Sequence, residues 1–422
     1  MNVAARFEQA EKVGLKFAHN ASAHSTGGAL RKVGKETLAK AAPVEEEDGY
    51  AVRRGKPLNP TLAIGLMSGT SRDGIDAALI RTDGEGEVDP VAFVSMPYDY
   101  SFRSRLAEAC LKAMAMAKPG PDPLIDAVAG ELTSAHADAV RTLLAQSEVA
   151  AGDVAVIGFH GHTVAHKPDR RWTWQVGDGE ALARMTGITV VNDLRSADVA
   201  AGGQGAPLLP IYHRALAEPL EKPVAILNLG GVANITYIGE DRELTAFDTG
   251  MASALIDNWM QEEGNASFDA GGAVAAQGRV DEGVLAAMLD NDWFDLPPPK
   301  SLDREDFTIE PVRGLSLADG AATLTAFTVH AIELGLRQLP MRPRTLFTAG
   351  GGRHNATMMH MLAERTGISI RPVNELGWNG DALEAQGFAY MAVRTLRGLP
   401  ISFPGTTGVP EPMCGGVICA AV

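Results

Sequence analysis

Cysteine, positive charge and long apolar runs are all scarce in this chain of 422 residues. The three cysteines form no Cys-x-x-Cys pair, which predicts neither a disulfide framework nor a zinc site and indicates a reducing, cytoplasmic setting. The chain has 37 Lys and Arg against 52 Asp and Glu, and its net charge of −15 lacks the basic footprint that binds nucleic acid or an anionic membrane. No apolar run approaches the roughly 20 residues of a membrane span. We therefore expect a soluble globular protein with no nucleic-acid partner and no membrane partner.

Residues 1–58 differ in composition from the rest of the chain. They carry a net charge of +3, against −18 for the remaining residues, and they lack the apolar core of a secretory signal. Their seven acidic residues also argue against a transit peptide, because such peptides are poor in acids. We interpret this segment as a poorly ordered N-terminal extension.

From Pro60 onward, strand-length apolar runs alternate with glycine turns and helix-length amphipathic stretches, a pattern typical of α/β proteins. Two strand-turn-strand units are predicted, at residues 61–80 and 224–238, and a strand-turn-helix unit follows at 345–364. This repetition indicates a duplicated architecture with a cleft between its halves. Further predictions are helices at 126–145 and 323–339 and a surface loop at 291–306.

The first glycine turn, Met67-Ser68-Gly69-Thr70-Ser71-Arg72-Asp73-Gly74, combines glycines, hydroxyls and one carboxylate. Glycine allows close backbone approach, so successive N–H groups can face one anion, and Ser and Thr add further donors. The turn therefore suits phosphate, and Asp73 is placed to hold Mg²⁺ beside it, directly or through water. A simple hairpin made of turn-forming residues is the alternative interpretation.

Two further glycine turns favour the phosphate interpretation. Gly230-Gly231 lies between Asn228 and Asn234, and Gly350-Gly351-Gly352 precedes a helix-like segment. Three such turns are the contacts expected of a nucleotide held between two domains. The Walker pattern is missing, and no G-x-G-x-x-G follows the first strand, which argues against P-loop and Rossmann sites.

Seven segments, taken together and in order, resemble the anhydro-N-acetylmuramic acid kinase family over about residues 60–420. They are GLMSGTSRDGID at 65–76, GQGAPL at 203–208, LNLGGVAN at 227–234, FDTG at 247–250, PKS at 299–301, GGGRHN at 350–355 and DALEA at 381–385. The resemblance implies an actin/hexokinase-like (ribonuclease H-like) α/β fold of two domains with an interdomain cleft. It places the first domain at 59–195 and the second at 196–384, with residues 385–422 packing back on the first.

The activity implied by this resemblance is that of an ATP-dependent kinase in peptidoglycan recycling. Such an enzyme opens the 1,6-anhydro ring of 1,6-anhydro-N-acetylmuramic acid with water and phosphorylates the 6-oxygen, giving N-acetylmuramate 6-phosphate and ADP. ATP and Mg²⁺ are the implied cofactors, the sugar is the small-molecule partner, and a homodimer is left open. The expected nucleotide contacts are Gly69, Thr70, Ser71, Arg72, Asp73, Gly74, Ile75, Asp76, Gly230, Gly231, Gly350, Gly351, Gly352 and Asn355.

Asp248 precedes a stretch whose apolar residues are spaced for one helix face. By position alone, the favoured role of such an aspartate is to cap the helix. The resemblance instead matches Asp248 to the family's catalytic aspartate. A carboxylate suits that role, because the water that attacks the anomeric carbon must lose a proton.

Three other charged residues each have two interpretations. Glu384 matches a family glutamate that assists near the sugar, or it is an exposed charge on a helix. Arg195 is a candidate for binding the lactyl carboxylate of the sugar, or it forms an ion pair with Asp193 or Asp198. Lys300 contacts an acidic ligand or only water.

His160, His162 and His166 lie within seven residues, but a strand-turn with these spacings does not by itself bring them onto one metal ion. No carboxylate nearby in sequence would orient them either. Core packing is one alternative, and the resemblance places His160 and His162 in the sugar pocket. The family usually has Gln at the position of His162.

One departure from the family pattern keeps a second function open. After Asp248-Thr249-Gly250 the family usually continues with Pro, a small residue and Asn, whereas this chain has Met251-Ala252-Ser253. The alternative function is a non-catalytic, nucleotide-binding sensor of anhydromuramyl ligands. Because the glycine turns, Asp248 and Glu384 are all present, the sequence favours the active kinase.

Overall fold

The structure, a computed structural model, describes residues 59–69, 71–302 and 306–421. The predicted N-terminal extension, residues 1–58, lies outside these residues, and so does Thr70 of the first glycine turn. Among the residues that the structure describes, no helix is both long enough and apolar enough to cross a membrane.

The strands alternate with helices along the chain, as the sequence pattern predicts. The strands are β1 (Thr61–Ser68), β2 (Gly74–Thr82), β3 (Val88–Pro97), β4 (Val154–Lys167), β5 (Trp172–Val176), β6 (Val190–Asn192), β7 (Val224–Leu229), β8 (Val232–Ile238), β9 (Leu244–Met251), β10 (Thr345–Ala349), β11 (Ser369–Pro372) and β12 (Val417–Cys419). The helices are α1 (Tyr100–Ala115), α2 (Pro123–Ser147), α3 (Gly179–Thr186), α4 (Ser196–Ala201), α5 (Pro210–Leu216), α6 (Ser253–Glu263), α7 (Glu282–Leu289), α8 (Leu317–Arg337), α9 (Ala356–Thr366), α10 (Leu383–Leu396) and α11 (Pro404–Thr407).

The strands form two sheets whose central parts share one topology. The first sheet has the order β12-β6-β4-β1-β2-β3, with β5 paired to β4, and the second has the order β11-β10-β7-β8-β9. In each sheet the first three strands in sequence pair antiparallel, one after the other. Two later strands extend the sheet on the other side of the first strand and run parallel to it: β4 and β6 in the first sheet, and β10 and β11 in the second. The same strand order occurs twice, which confirms the predicted duplicated α/β architecture of the actin/hexokinase-like (ribonuclease H-like) class.

The three predicted units with glycine turns are confirmed. The first corresponds to β1 and β2, the second to β7 and β8, and the third to β10 followed by α9. The two predicted helices are α2 and α8, and both begin earlier than their apolar periodicity indicates. Each starts at a capping side chain: Asp122 accepts from the N–H groups of Leu124 and Ile125, and Ser316 accepts from that of Asp319.

The predicted surface loop at 291–306 is partly wrong. Residues Asp292–Asp295 form a short 3₁₀ helix, and Phe294 and Lys300 are buried. Phe294 packs against Phe307 and Phe327, with ring centroids 5.7 and 6.0 Å apart. The three prolines indicate loop backbone, but they do not reveal that the aromatic residue before them belongs to the core.

Three apolar clusters hold this fold together. One joins the first sheet to α1, α2 and α3, and a second joins the other sheet to α6, α8 and α9. The third contains residues from both sheets together with α5 and α10, among them Val156, Ile226 and Phe388. Helix α10 packs on β1, β2 and β4, and β12 pairs with β6, whereas α11 between them contacts β9 of the second sheet. The domain boundaries implied by the resemblance stay a prediction.

Candidate active site

The first glycine turn connects β1 to β2, and several short-range contacts shape it. The Arg72 N–H donates to the Gly69 carbonyl at 3.0 Å, and Arg72 has a left-handed φ of 58°. The Ser71 hydroxyl donates to the Asp73 carboxylate at 2.7 Å, and both side chains are exposed. The Arg72 guanidinium hydrogen-bonds the Cys110 thiol of α1. The turn therefore presents Ser71 and Asp73 outward, while Arg72 anchors it to the helix behind.

Tyr98, which sequence reasoning missed, holds both ends of this turn. Its backbone N–H donates to the Asp73 carbonyl at 2.9 Å, and its hydroxyl donates to Ser68 Oγ at 2.8 Å. Ser68 Oγ also lies 2.9 Å from His162 Nδ1. This chain of contacts connects the first glycine turn to β4. No local pattern around Tyr98 signals the role, because its two partners, Ser68 and Asp73, lie 30 and 25 residues earlier in the chain.

The glycines of the three turns fall into two groups according to what a side-chain carbon would meet. A Cβ at Gly69 would contact only the Ser71 hydroxyl, at 3.4 Å, and one at Gly351 would meet nothing within 4 Å. At Gly230 the nearest atom is the Val232 carbonyl oxygen at 3.5 Å. The protein's own packing does not require glycine at these positions. They leave backbone accessible to a ligand in all three turns.

Other glycines in the same turns are required by packing. A Cβ at Gly74 would lie 2.4 Å from the Met96 carbonyl oxygen, and one at Gly352 would lie 2.8 Å from the Leu229 Cβ. Gly350 has a φ of 75°, and a Cβ there would lie only 2.5 Å from Asn228 Oδ1. Gly231 is intermediate, because its Cβ would lie 3.4 Å from that of Ala254. Gly74, Gly350 and Gly352 therefore bring strands and turns close together.

The residues after the first turn point in different directions. Ile75 is 1% exposed and belongs to the core of the first sheet, so its side chain faces away from any nucleotide. Asp76 is half-buried, and burial raises its pKa to about 6, with Asp73 and Asp381 adding to the rise against a hydrogen bond from Ser95. Asp73 and Asp381 therefore lie close enough to Asp76 to disfavour its ionisation.

The third turn is organised by Arg353, a residue that we quoted in the sequence motif but assigned no role. Its buried guanidinium donates to the Gly350 carbonyl at 2.8 Å and to Asp381 at 2.9 Å. Asn355, a predicted nucleotide contact, is buried and caps α9, because its Oδ1 accepts from the Met358 N–H at 2.9 Å. The Asn355 side chain is therefore occupied in positioning the helix.

Asp248 lies inside β9, and the expectation that it caps the following helix is wrong. The strand continues to Met251, and α6 begins at Ser253 without any side-chain cap. The Asp248 carboxylate instead accepts from the Leu302 N–H at 2.8 Å, while its own N–H donates to the Lys300 carbonyl at 2.9 Å. A bulge at the pairing of β8 with β9 interrupts the register beside Asp248. Bulges of this kind redirect side chains next to active sites.

Burial raises the pKa of Asp248 to about 7. The Leu302 N–H and the positive charge of Arg195 oppose that rise, because both stabilise the ionised carboxylate. A carboxylate with a pKa near neutrality can accept a proton from water and release it again at physiological pH. Asp248 is therefore suited to general-base chemistry.

Arg195 follows β6, is half-buried, and lies close enough to Asp248 for the two charges to interact. Its Nε donates to His160 Nε2 at 3.1 Å and its guanidinium donates to the Gly205 carbonyl at 2.7 Å. Burial lowers the pKa of Arg195 to about 10, which keeps it charged at neutral pH. The predicted alternative of an ion pair is wrong among the described residues, because Arg195 has no carboxylate within salt-bridge distance. Asp198 instead accepts from the Gly205 N–H and the Thr407 hydroxyl, both at 2.6 Å.

The two histidines predicted to line the sugar pocket are buried and neutral. His160 Nδ1 lies 2.9 Å from the Gly161 carbonyl, so Nδ1 carries the proton and Nε2 accepts from Arg195. Burial and the Arg195 charge hold the pKa of His160 well below its usual range. Burial also lowers the pKa of His162 to about 3. Both imidazoles therefore act as hydrogen-bonding groups without charge.

Glu384 lies in the first turn of α10 and is half-buried, so the alternative of an exposed helix charge is wrong. Burial raises its pKa, whereas Arg195 and a hydrogen bond with Asn228 lower it. Arg195 thus faces both Glu384 and Asp248, which come from different parts of the fold. The chain brings the half-buried Arg195 and two carboxylates together where the two sheets meet.

Lys300 is buried beside this group and faces away from it. Its ammonium donates to the Phe294 carbonyl at 2.9 Å and to the Trp293 carbonyl at 3.2 Å, and it lies 4.4 Å from the centre of the Trp293 ring. Burial lowers the pKa of Lys300 to about 8, while Asp295 opposes that shift. Its assignment as a substrate contact stays a prediction.

Ser253, where the chain departs from the family pattern, contacts a glycine turn and not the aspartate. Its hydroxyl and its N–H both donate hydrogen bonds to the Gly230 carbonyl, at 2.9 and 3.0 Å. Met251 and Ala252 are fully buried in the core of the second sheet. The departure therefore concerns the support of the Gly230-Gly231 turn.

The arrangement defines a class of protein. The ribonuclease H-like fold occurs twice, and each copy has a glycine turn whose backbone is accessible. The buried Asp248 carboxyl, with a pKa of about 7, lies where the two sheets meet. These features place the chain in the actin/hexokinase-like superfamily.

The chain belongs to the anhydro-N-acetylmuramic acid kinase family, whose sequence model matches residues 61–421. A relative from Rhizorhabdus wittichii, named anhydro-N-acetylmuramic acid kinase, is 65% identical over 84% of this chain and 98% of its own length. A relative of the same name from Zymomonas mobilis is 51% identical over 85% of this chain and 99% of its own length. One from Rhodospirillum rubrum is 49% identical over 84% of this chain and 93% of its own length.

Proposed function

We propose that this chain is an ATP-dependent kinase that opens the anhydro ring of 1,6-anhydro-N-acetylmuramic acid and phosphorylates its 6-oxygen, in peptidoglycan recycling. The observation that carries the proposal is the burial of Asp248 at the junction of the sheets, with a pKa of about 7 and with Arg195 facing it. A protein that only sensed such a ligand would have no need of a carboxylate tuned to neutral pH.

Asp248 is the general base of this reaction. The oxygen of a water molecule bonds to the anomeric carbon, the bond from that carbon to the bridging 6-oxygen breaks, and the water's proton goes to Asp248. The freed 6-oxygen bonds to the γ-phosphorus of ATP, and the bond from that phosphorus to the oxygen bridging it to the β-phosphate breaks, so ADP leaves. Because the Leu302 N–H holds one carboxylate oxygen at 2.8 Å, the base keeps a fixed direction.

Arg195, His160, His162 and Glu384 form the sugar pocket. Arg195 binds the lactyl carboxylate, because its half-buried guanidinium, with a pKa of about 10, stays charged at neutral pH. His160 orients that guanidinium through its Nε2. Glu384 assists as a second carboxylate near the sugar, where it shares Arg195 with Asp248.

The glycine turns cradle the phosphates of ATP through backbone N–H groups. Gly69, Gly230 and Gly351 have room for this, because a Cβ at each would meet little or no protein. Asp73 is exposed at the first turn and would hold Mg²⁺ together with phosphate oxygens and water. Within the described part of the chain no three His, Cys, Asp or Glu side chains gather around one point. That donor set fits Mg²⁺, which usually takes only one or two protein carboxylates and completes its shell with phosphate and water.

We propose that the reaction takes place in the cytoplasm, where ATP is available. We propose a homodimer as the quaternary structure. Sedimentation of the purified full chain would decide between monomer and dimer.

A coupled assay for ADP release tests the proposed activity. Purified protein is given ATP and Mg²⁺ with the anhydro sugar, and in parallel with N-acetylmuramate or glucose. We expect ADP release only with the anhydro sugar. ADP release with none of the three would reject the kinase and favour the sensor.

Reaction in oxygen-18 water tests the order of bond changes. If water opens the ring while the sugar's own oxygen attacks phosphorus, the label appears on the anomeric hydroxyl and is missing from phosphate. Label in inorganic phosphate would instead reveal plain ATP hydrolysis.

A further inference from the structure

Two of the sequence motifs have no role in the proposed function. They are the loop at 203–208 and the segment at 299–301. The structure brings them together. The Ser301 hydroxyl donates to Gln204 Oε1 at 2.8 Å, although the two residues are 97 positions apart in the chain. This contact lies directly beside the proposed base.

The backbone around Ser301 holds Asp248 on two sides. On one side the Lys300 carbonyl accepts the Asp248 N–H at 2.9 Å, and on the other the Leu302 N–H donates to the Asp248 carboxylate at 2.8 Å. Ser301 is the residue between these two contacts. Its own side chain points to neither of them and binds Gln204 instead.

Gln204 belongs to a loop with several anchors. Its N–H donates to the Thr407 carbonyl at 2.6 Å, and the next N–H, of Gly205, donates to Asp198 at 2.6 Å. The Gly205 carbonyl accepts from Arg195 at 2.7 Å. The loop that hydrogen-bonds Ser301 is therefore also hydrogen-bonded to Arg195, the arginine whose charge acts on Asp248.

We infer that Ser301 and Gln204 are positioning residues, whose hydrogen bond fixes the Leu302 N–H on the Asp248 carboxylate and so keeps the base aimed and ionised. The inference rests on the proposed function, because it assigns these residues to the base of that reaction. Neither side chain touches the carboxylate, so both act through the segment 300–302.

The electrostatic consequence has a definite sign. Burial favours the protonated form of Asp248, whereas the Leu302 N–H and Arg195, from the loop after β6, favour the ionised form. Glu384, from α10, also faces Arg195, and the Lys300 ammonium is directed at the Phe294 and Trp293 carbonyls. If the Ser301–Gln204 bond is lost and Leu302 moves, one of the two stabilising groups weakens. The pKa of Asp248 then rises.

A double-mutant cycle tests the inference in the full-length protein. We expect Ser301→Ala and Gln204→Ala each to lower kcat by about 3- to 10-fold, the usual effect of one neutral hydrogen bond, with a smaller change in KM for either substrate. The acidic limb of the kcat/KM profile should move to higher pH in both. The double variant should resemble either single variant, because both remove the same bond.

Two further variants serve as controls. Ser301→Thr keeps a hydroxyl and should restore both kcat and the pH profile. Ser147→Ala removes a hydroxyl that bonds the Leu143 carbonyl within α2, and it should change neither. Thermal unfolding of every variant shows whether a loss of rate reflects a loss of fold.

A measurement without turnover separates this inference from the proposed function. The carboxyl carbon of Asp248, labelled with carbon-13, is titrated by NMR in the wild type and in Ser301→Ala. A higher pKa in Ser301→Ala supports the inference even if the protein proves to have no kinase activity. An unchanged pKa, or additive losses of kcat in the double variant, would overturn it whatever the activity.

Discussion

The two sheets have the same central strand order but carry different groups at corresponding places. In the first sheet, the turn between β1 and β2 presents hydroxyls and the exposed Asp73. In the second, the matching turn between β7 and β8 is Gly230-Gly231, and the charged group lies on β9 as the buried Asp248. Duplication of a fold therefore repeats the backbone framework, while the chemistry is divided between the copies.

The division follows from how far each carboxylate is removed from water. Asp73 is exposed, whereas Asp248 is 8% exposed and has a pKa raised to about 7. Burial disfavours the charged form of a carboxylic acid and so raises its pKa. The rise is largest where few positive charges lie nearby. In the second sheet, β9 is buried along almost its whole length and is contacted by α5, α8 and α11, so Asp248 is shielded from water.

The strongest test of this division is Asp248→Asn. We expect turnover to fall about 100- to 10,000-fold, the usual contribution of a general base, while ATP and sugar still bind. Asparagine keeps the size of the side chain and can accept from Leu302, so the fold should persist. Turnover is measured with the coupled assay, binding by calorimetry and fold by circular dichroism.

Asp76→Asn, in the first sheet, is the matched control for that test. Asp76 also has a raised pKa, but it lies next to Asp73, so its loss should weaken the response to Mg²⁺ and be offset by more of the cation. If Asp76→Asn abolished turnover at every Mg²⁺ concentration while Asp248→Asn kept full activity, the base would belong to the first sheet.

The second prediction concerns the open backbone of the first turn. Gly69→Val should weaken ATP binding about 10- to 100-fold, the cost of losing one hydrogen bond to a charged group, and should change sugar binding much less. The new side chain would meet only the Ser71 hydroxyl in the protein, so its effect falls on the ligand.

Calorimetry with each ligand separately checks this result. Gly130→Val is the control, because Gly130 lies on the exposed side of α2 with nothing within 4 Å of its Cβ. Equal losses of both ligands in Gly69→Val would show damage to the fold and not to a phosphate site.

The third prediction is a dependence of stability on pH. The folded-state pKa of Asp248 is about 7, against roughly 3.9 for an unfolded aspartate. The stability contributed by its protonated form is complete below the unfolded pKa and is lost as pH rises through 7. Asp248→Asn cannot ionise, so it should melt at a higher temperature than the wild type at pH 8 and at a similar temperature at pH 4. A Tm difference independent of pH would show that Asp248 titrates normally.

The smallest expected effect belongs to Ser253 in the second sheet. Ser253→Ala removes the hydroxyl that holds the Gly230 carbonyl, a contact worth about 0.5–1.5 kcal/mol. ATP affinity should fall about 2- to 10-fold, with sugar affinity unchanged. Ser134→Ala, which loses a hydroxyl on the surface of α2, should leave both affinities as they are. A loss of sugar affinity alone would assign Ser253 to the sugar pocket.

The sequence by itself predicted the parts of the molecule that depend on near neighbours. The glycine turns, the strands on each side of them and the helices α2 and α8 follow from steric freedom at glycine and from apolar periodicity. Those rules act over a few residues. For the same reason the predicted units at 61–80 and 224–238 agree closely with β1–β2 and β7–β8 of the structure.

Only the tertiary structure decided what the charged residues do. By position alone Asp248 suited a helix cap, but it bonds to Leu302, 54 residues away, and its charge interacts with that of Arg195, which follows β6. Arg195 was open to an ion pair, but Asp198 is already satisfied by Gly205 and Thr407. Burial and hydrogen bonds between distant segments set a pKa, and no local pattern encodes how far a side chain is removed from water. The role of a carboxylate is therefore decided when the two sheets pack together.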